Sequence, residues 1–91
     1  MLKISQAGKS KRSVTLKLEG RVVGPWVNEL LQVCETLLTE GLAPKLDLTD
    51  VTFADADGVA LLSNFKTRGI SLENCSPFVD EQLRSNRRRD A

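Results

Sequence analysis

The chain contains no histidine, has only two cysteines, and holds no apolar run longer than Val59-Ala60-Leu61-Leu62. Without imidazole the commonest general base at neutral pH is missing, and no Ser-His-Asp or Cys-His triad can be assembled. Cys34 and Cys75 stand far apart with no C-x-x-C pair, which removes most zinc chemistry. Both thiols are expected to be reduced and unreactive, Cys34 on the apolar face of a helix and Cys75 near a strand end. A four-residue apolar run falls far short of the ~20 residues that a bilayer-spanning helix needs. Met1-Leu2-Lys3-Ile4 leads straight into the polar Ser5-Gln6-Ala7-Gly8-Lys9, so no secretory segment is read there. A cytoplasmic protein with no direct membrane insertion is the expectation. An excess of charge of one sign is also lacking: 13 Lys and Arg balance 12 Asp and Glu, for a net charge of +1. Aromatic residues make up only 4% of the chain, and none interleaves with Arg87-Arg88-Arg89. Nucleic acid is therefore not an expected partner.

What is present is 91 residues with 41% apolar content. That is enough for one core, because a chain of this size hides roughly 60–65% of its unfolded surface on folding, and too little for a two-domain catalytic cleft. The expected organisation is a single domain over residues 1–91, with a core from about residue 14 to residue 84 and a basic tail over residues 85–91.

Val14-Thr15-Leu16-Lys17-Leu18-Glu19 alternates apolar and polar residues, the period of a strand. Leu2 to Ile4 can pair with it antiparallel across a polar loop from Ser5 to Ser13. Gly8-Lys9-Ser10 in that loop mimics the end of a phosphate-binding loop, but the first glycine of that motif would fall on Lys3, so the motif is rejected. Gly24-Pro25 starts a helix, since proline at the first helical position loses no hydrogen bond. Its apolar stripe is Trp26, Val27, Leu30, Leu31, Cys34, Leu37 and Leu38, and Gly41 stops it. A strand over Lys45–Thr49 follows, then a loop from Asp50 to Phe53 that continues to Asp57, and a helix over Val59–Lys66 closed by Gly69. Ile70–Asn74 reads as a further strand, and Ser76-Pro77 starts a last helix with Phe78, Val79 and Leu83 turned inward. Asp80 and Glu81 near its start and Arg84 toward its end suit the helix dipole. The fold class is therefore α/β: a small layer with a mixed four-stranded sheet, one antiparallel hairpin strand and then βαβαβα, covered by amphipathic helices.

The densest signal is Asp47-Leu48-Thr49-Asp50-Val51-Thr52-Phe53-Ala54-Asp55-Ala56-Asp57-Gly58 followed by Val59-Ala60-Leu61-Leu62: a strand exit, a carboxylate cluster and a helix start in one stretch. A carboxylate from Asp55 or Asp57 can accept hydrogen bonds from unpaired N–H groups at that helix start. The stretch resembles the STAS domain family, whose members include bacterial anti-sigma factor antagonists, in its L-D-L-like strand, V-x-F-x-D run, two small residues, glycine and apolar helix. The likeness extends to Gly20-Arg21, Gly69-Ile70 and Ser76-Pro77, from about Val14 to Leu83.

The resemblance implies a non-enzymatic adaptor with no cofactor, catalytic residue or metal. It implies regulation of transcription by partner switching, in which a kinase phosphorylates a hydroxyl just before the glycine. Here that position is Asp57, preceded by Ala56, and neither side chain accepts phosphate as serine does. Asp55 and Gly58 match the motif, as loop acid and as the small residue of a tight turn. The expected docking loop is Asp55, Ala56, Asp57 and Gly58. Thr49, Thr52 and Ser63 are the remaining candidate phosphoacceptors. Asp57 is either a partial phosphate mimic, with one charge against about −1.5 to −2, or a plain helix cap. The implied partner is a kinase-type anti-sigma factor; alternatively the protein is the STAS subunit of a membrane-lipid transport complex and binds its ABC ATPase. A third reading rests on D-x-D-G-V at Asp55–Val59, which resembles haloacid dehalogenase-type phosphatases: Asp55 as nucleophile, Asp57 as general acid, and Lys66 among the few cations that follow. The motif follows a loop, and no later acidic pair completes a metal site, which disfavours it.

Overall fold

The structure is a computed structural model that describes residues 2–90, with the side chains of Phe78 and residues 85–90 left aside. Four strands and three helices alternate as β1 (Leu2–Lys9), β2 (Ser13–Val22), α1 (Pro25–Thr39), β3 (Ala43–Ala54), α2 (Ala56–Thr67), β4 (Ser71–Glu73) and α3 (Pro77–Asp90). The sheet order is β1-β2-β3-β4, with β1 antiparallel to β2 and the other neighbours parallel. This is the mixed α/β layer expected from the sequence. Two successive crossovers advance in the same direction across the sheet, so right-handed connections put α1 and α2 on one face. The residues on that face, Val14, Leu16, Leu18 and Val22 from β2 and Leu46, Leu48 and Val51 from β3, are buried against Leu30, Cys34, Leu62 and Phe65. The opposite face carries charge: Lys17 bridges to Asp50 at 3.1 Å and lies 3.8 Å from Glu19.

Several boundaries differ from the sequence expectation, each for a physical reason. β1 runs to Lys9, not to Ile4, and the Ser5–Ser13 loop shrinks to a turn closed by the Ser10 amide donating to the Ser13 carbonyl at 2.8 Å. An edge strand with few apolar residues has little alternation to read, and a bulge between Gln6 and Gly8 disturbs its period. β3 runs from Ala43 to Ala54, so Asp50–Phe53 is strand and not loop. Its register against β2 slips twice, between Lys17 and Glu19 and between Gly20 and Arg21. Each slip adds a residue to β3, so the buried positions Leu48, Val51 and Ala54 recur every third residue and the period-two signal vanishes. α2 begins at Ala56 and not at Val59, one turn earlier, because the cap lies upstream of it. β4 covers only Ser71–Glu73, ended by Asn74 at φ 58°.

The helix ends are better behaved. α1 and α2 close in the same way: Gly41 (φ 80°) and Gly69 (φ 86°) adopt left-handed backbone that a Cβ disfavours. Leu42 then donates to the Leu37 carbonyl and Ile70 to that of Phe65, both at 2.9 Å, satisfying carbonyls the helices leave unpaired. Glu35 of α1 and Arg68 after α2 form an ion pair between the two helix C-terminal regions. Cys34 is buried and free, and desolvation pushes its thiol pKa up to about 11, so little thiolate forms. Cys75 is also free and half-buried. In α3, Val79 and Leu83 face the core and Arg84 pairs with Asp80 at 3.1 Å. The inward placement expected of the Phe78 side chain, and the side chains of Arg87–Arg89, lie outside the described residues. The α3 backbone continues to Asp90, so helix extends into the segment read as a basic tail. No helix among the described residues is long and apolar enough to cross a membrane.

Candidate functional site

The Asp55–Gly58 stretch lies where β3 ends and α2 begins, at the carboxyl edge of the parallel strands, and one carboxylate organises it. Asp55 has extended backbone (φ −79°, ψ −177°) and is the N-cap of α2. Its Oδ1 accepts from the Gly58 amide at 2.8 Å, which satisfies one of the N–H groups the first helical turn leaves unpaired. Its Oδ2 accepts from the Gly24 amide at 3.0 Å, across 31 residues, so the same side chain also holds the turn that starts α1. The Asp55 amide donates to the Val22 carbonyl at 3.2 Å. The Gly24 and Gly58 amides, in that order, hold the Asp55 carboxyl below the usual carboxylate range, because both stabilise its charged form.

Gly58 is buried at this junction. A Cβ at that position would lie 2.2 Å from the Val22 carbonyl oxygen, so glycine is needed for close backbone approach. The small residue expected at this tight turn is needed for space. α2 and the end of β2 touch backbone to backbone.

Of the two acids proposed as caps, Asp55 takes the role. Asp57 is not a cap: it sits in the first turn of α2, exposed, where its charge faces the positive end of the helix dipole. Ala56 is likewise exposed, whereas Gly58 and Val59 turn into the protein. The loop therefore has a fixed inner side, Asp55 and Gly58, and an outward side, Ala56 and Asp57. Ala60 and Asn64 continue the exposed side down α2. Phe53, 39% exposed, is the one large hydrophobic residue at the surface among the described residues, and it pairs in register with the exposed Arg21 on the open sheet face.

The three hydroxyl candidates are scattered. Thr49 is exposed on β3, with its hydroxyl and amide both donating to the Asp47 carboxylate. Thr52 is exposed and donates to the Gly20 carbonyl at 3.3 Å. Ser63 is half-buried on α2, beyond its first turn. Asp47 also accepts from Asn74, and the Thr49 hydroxyl foremost holds its carboxyl low, so this acid pins β4 to β3.

Sequence reasoning missed Gly24 as a partner of Asp55 and missed Gln82 altogether. Gln82 of α3 donates through Nε2 to the Ala54 carbonyl at 3.0 Å, one residue before the cap. A polar residue between the inward Val79 and Leu83 was the available signal for Gln82. Nothing in the sequence joins position 24 to position 55.

For phosphatase chemistry the arrangement is poor. Both oxygens of Asp55 accept from backbone amides, although this acid comes directly off β3 and not off the loop expected from the sequence. Among the described residues no group of three or more Cys, Asp or Glu side chains is gathered to hold a metal ion.

With this geometry in view, the chain is similar to the anti-sigma factor antagonist SpoIIAA in its unphosphorylated form. The TM-score is 0.69 at 15% identity, over 94% of this chain and 80% of that one. It is also similar, with a TM-score of 0.55 at 10% identity, to an uncharacterized protein with a SpoIIAA-like fold from Shewanella loihica, over 74% of this chain and 56% of that one. At such identities the likeness is one of fold: the protein has a STAS-like, SpoIIAA-like architecture. No protein-family model matches the chain. No curated protein matches it either.

Proposed function

We propose that the protein is a non-enzymatic docking module of the anti-sigma factor antagonist type, which recognises a protein partner through Ala56, Asp57 and the exposed side of α2. The observation that carries this reading is the double engagement of Asp55, which fixes the loop from within and leaves Ala56 and Asp57 outward. A preformed surface binds without the cost of ordering a loop on contact. The SpoIIAA-like fold supports the same class of protein.

Asp57 stands at the position where the family resemblance puts the phosphoacceptor, so in this reading its negative charge is permanent and recognition does not depend on phosphorylation there. The partner is a kinase-type anti-sigma factor, and the process is partner switching in the cytoplasm. The test is capture of partners on the immobilised protein and on an Ala56→Arg variant, with mass spectrometry of what is bound. A histidine-kinase-like ATPase retained by the parent and lost by Ala56→Arg is the expected result. Retention of that ATPase by both overturns the docking surface, and recovery of a transporter ATPase instead moves the protein to the lipid-transport branch.

A further inference from the structure

Ala54 and Asp55 are held by more than β3 and α2, the strand and helix they connect. The end of β2 accepts from the Asp55 amide, the start of α1 donates to its carboxylate, and α3, packed beside α2, donates to the Ala54 carbonyl through Gln82. We propose that Gln82 is a positioning residue that couples α3 to the docking loop, so that displacement of α3 and reorientation of Asp55 occur together. The proposal rests on the docking reading above for its consequence, but not for its test.

Two observations support it. First, the direction of the Gln82 amide is decided by chemistry: a carbonyl accepts, so the nitrogen faces Ala54 and the oxygen is turned away. That oxygen, Oε1, is buried with no hydrogen-bond partner among the described residues. A buried acceptor left unmade costs free energy that an apolar residue of similar size would avoid, so packing alone does not favour glutamine here. Second, the carbonyl it grips belongs to a fully buried residue at the last position of β3, in the residue directly before the Asp55 cap. The bond to Gln82 therefore constrains the plane of the Ala54–Asp55 peptide, and with it the direction in which the carboxylate leaves the strand. Whatever loads α3 then changes the loop, and a partner on the loop reciprocally changes α3.

The test is amide hydrogen exchange of the free protein, parent against Gln82→Met, with Gln82→Leu as a second variant should methionine pack badly. The amides of Gly24 and Gly58, both donors to Asp55, should exchange about fivefold to tenfold faster in the variants, the loss of one net hydrogen bond expressed locally. Amides of Leu31 to Cys34 inside α1 should stay within about twofold of the parent, as expected of a unit that opens separately. Unchanged exchange at both glycines overturns the coupling. An equal rise throughout the molecule also overturns it, because Gln82 would then serve global stability alone. No partner is present in this experiment, so a failed docking surface leaves its outcome intact, and the Ala56→Arg capture tests that surface separately.

Discussion

The starts of α2 and α3 look alike in sequence and differ in what they hold. Each has a capping side chain whose oxygen accepts from an amide three residues on: Asp55 from Gly58 at 2.8 Å, Ser76 from Val79 at 3.2 Å. Ser76 serves one helix. Asp55 has a second oxygen, and that oxygen reaches the turn before α1. A hydroxyl has no such second arm, so the choice of acid at position 55 turns a local cap into a clamp between two crossover connections. The difference teaches that the Asp55–Gly58 loop is held by a long-range bond, whereas the start of α3 is ordered by its immediate neighbours.

The strongest way to break the comparison is at the close contact that lets the clamp form. Gly58→Ala puts a Cβ against the Val22 carbonyl, a backbone atom that cannot swing aside as a side chain would. We expect a loss of about 3 kcal/mol or more in urea unfolding, at the upper end of overpacking costs. Alanine is the better helix former, so a gain in stability would show that α2 does not approach β2 as described.

Next in size is the pair Asp55→Asn and Ser76→Ala. Asparagine caps helices well, but it presents one acceptor oxygen, so one of the Gly24 and Gly58 amides must face an NH2 group. The expected cost is about 2 kcal/mol for Asp55→Asn and about 1 kcal/mol for Ser76→Ala. The acid dependence sharpens the contrast. Folding lowers the Asp55 pKa, so its contribution is fully present above the unfolded value of about 3.9 and is lost as pH falls through the folded value. Asp47 and Glu35 are lowered as well, so the stability difference between parent and variant is the quantity to follow. The Asp55→Asn difference should shrink as pH drops from 7 toward 3, and the Ser76→Ala difference should not. Equal behaviour of the two would mean that Asp55, too, is only a local cap.

This contrast also marks how far the sequence could be read. Local chemistry was legible: Gly24-Pro25 and Ser76-Pro77 mark helix starts, Gly41 and Gly69 mark helix ends, and the α/β order follows from them. The extent of β3 was not, because two register slips convert a two-residue period into a three-residue one over Leu48, Val51 and Ala54. At the site, Asp55 and Gly58 were identified by motif, but their physical roles depend on Gly24 and Val22, more than thirty residues away in sequence and adjacent only after the crossover has formed. Periodicity and capping rules describe neighbours along the chain, so a bond between two loops leaves no trace in them. Gln82 is intermediate: its place on an inward helical position is visible, but its acceptor is not.

The smallest expected effect belongs to the outward side of the loop. Asp57 is exposed and makes its contribution through the α2 dipole, worth about 0.3–1 kcal/mol. Asp57→Ser should therefore lower stability by no more than that, since the cap at Asp55 is untouched. Its effect on partner affinity is a separate quantity, because a lost charge on a docking surface acts on the complex and not on the fold. An affinity change of about tenfold with nearly constant stability, about 1.4 kcal/mol appearing only on binding, is the expected outcome if the permanent charge defines the binding state. If affinity and stability both stay put, Asp57 neither locks a state nor supports the helix. If stability alone falls, the dipole accounts for the residue and recognition must rest on Ala56 and the exposed side of α2.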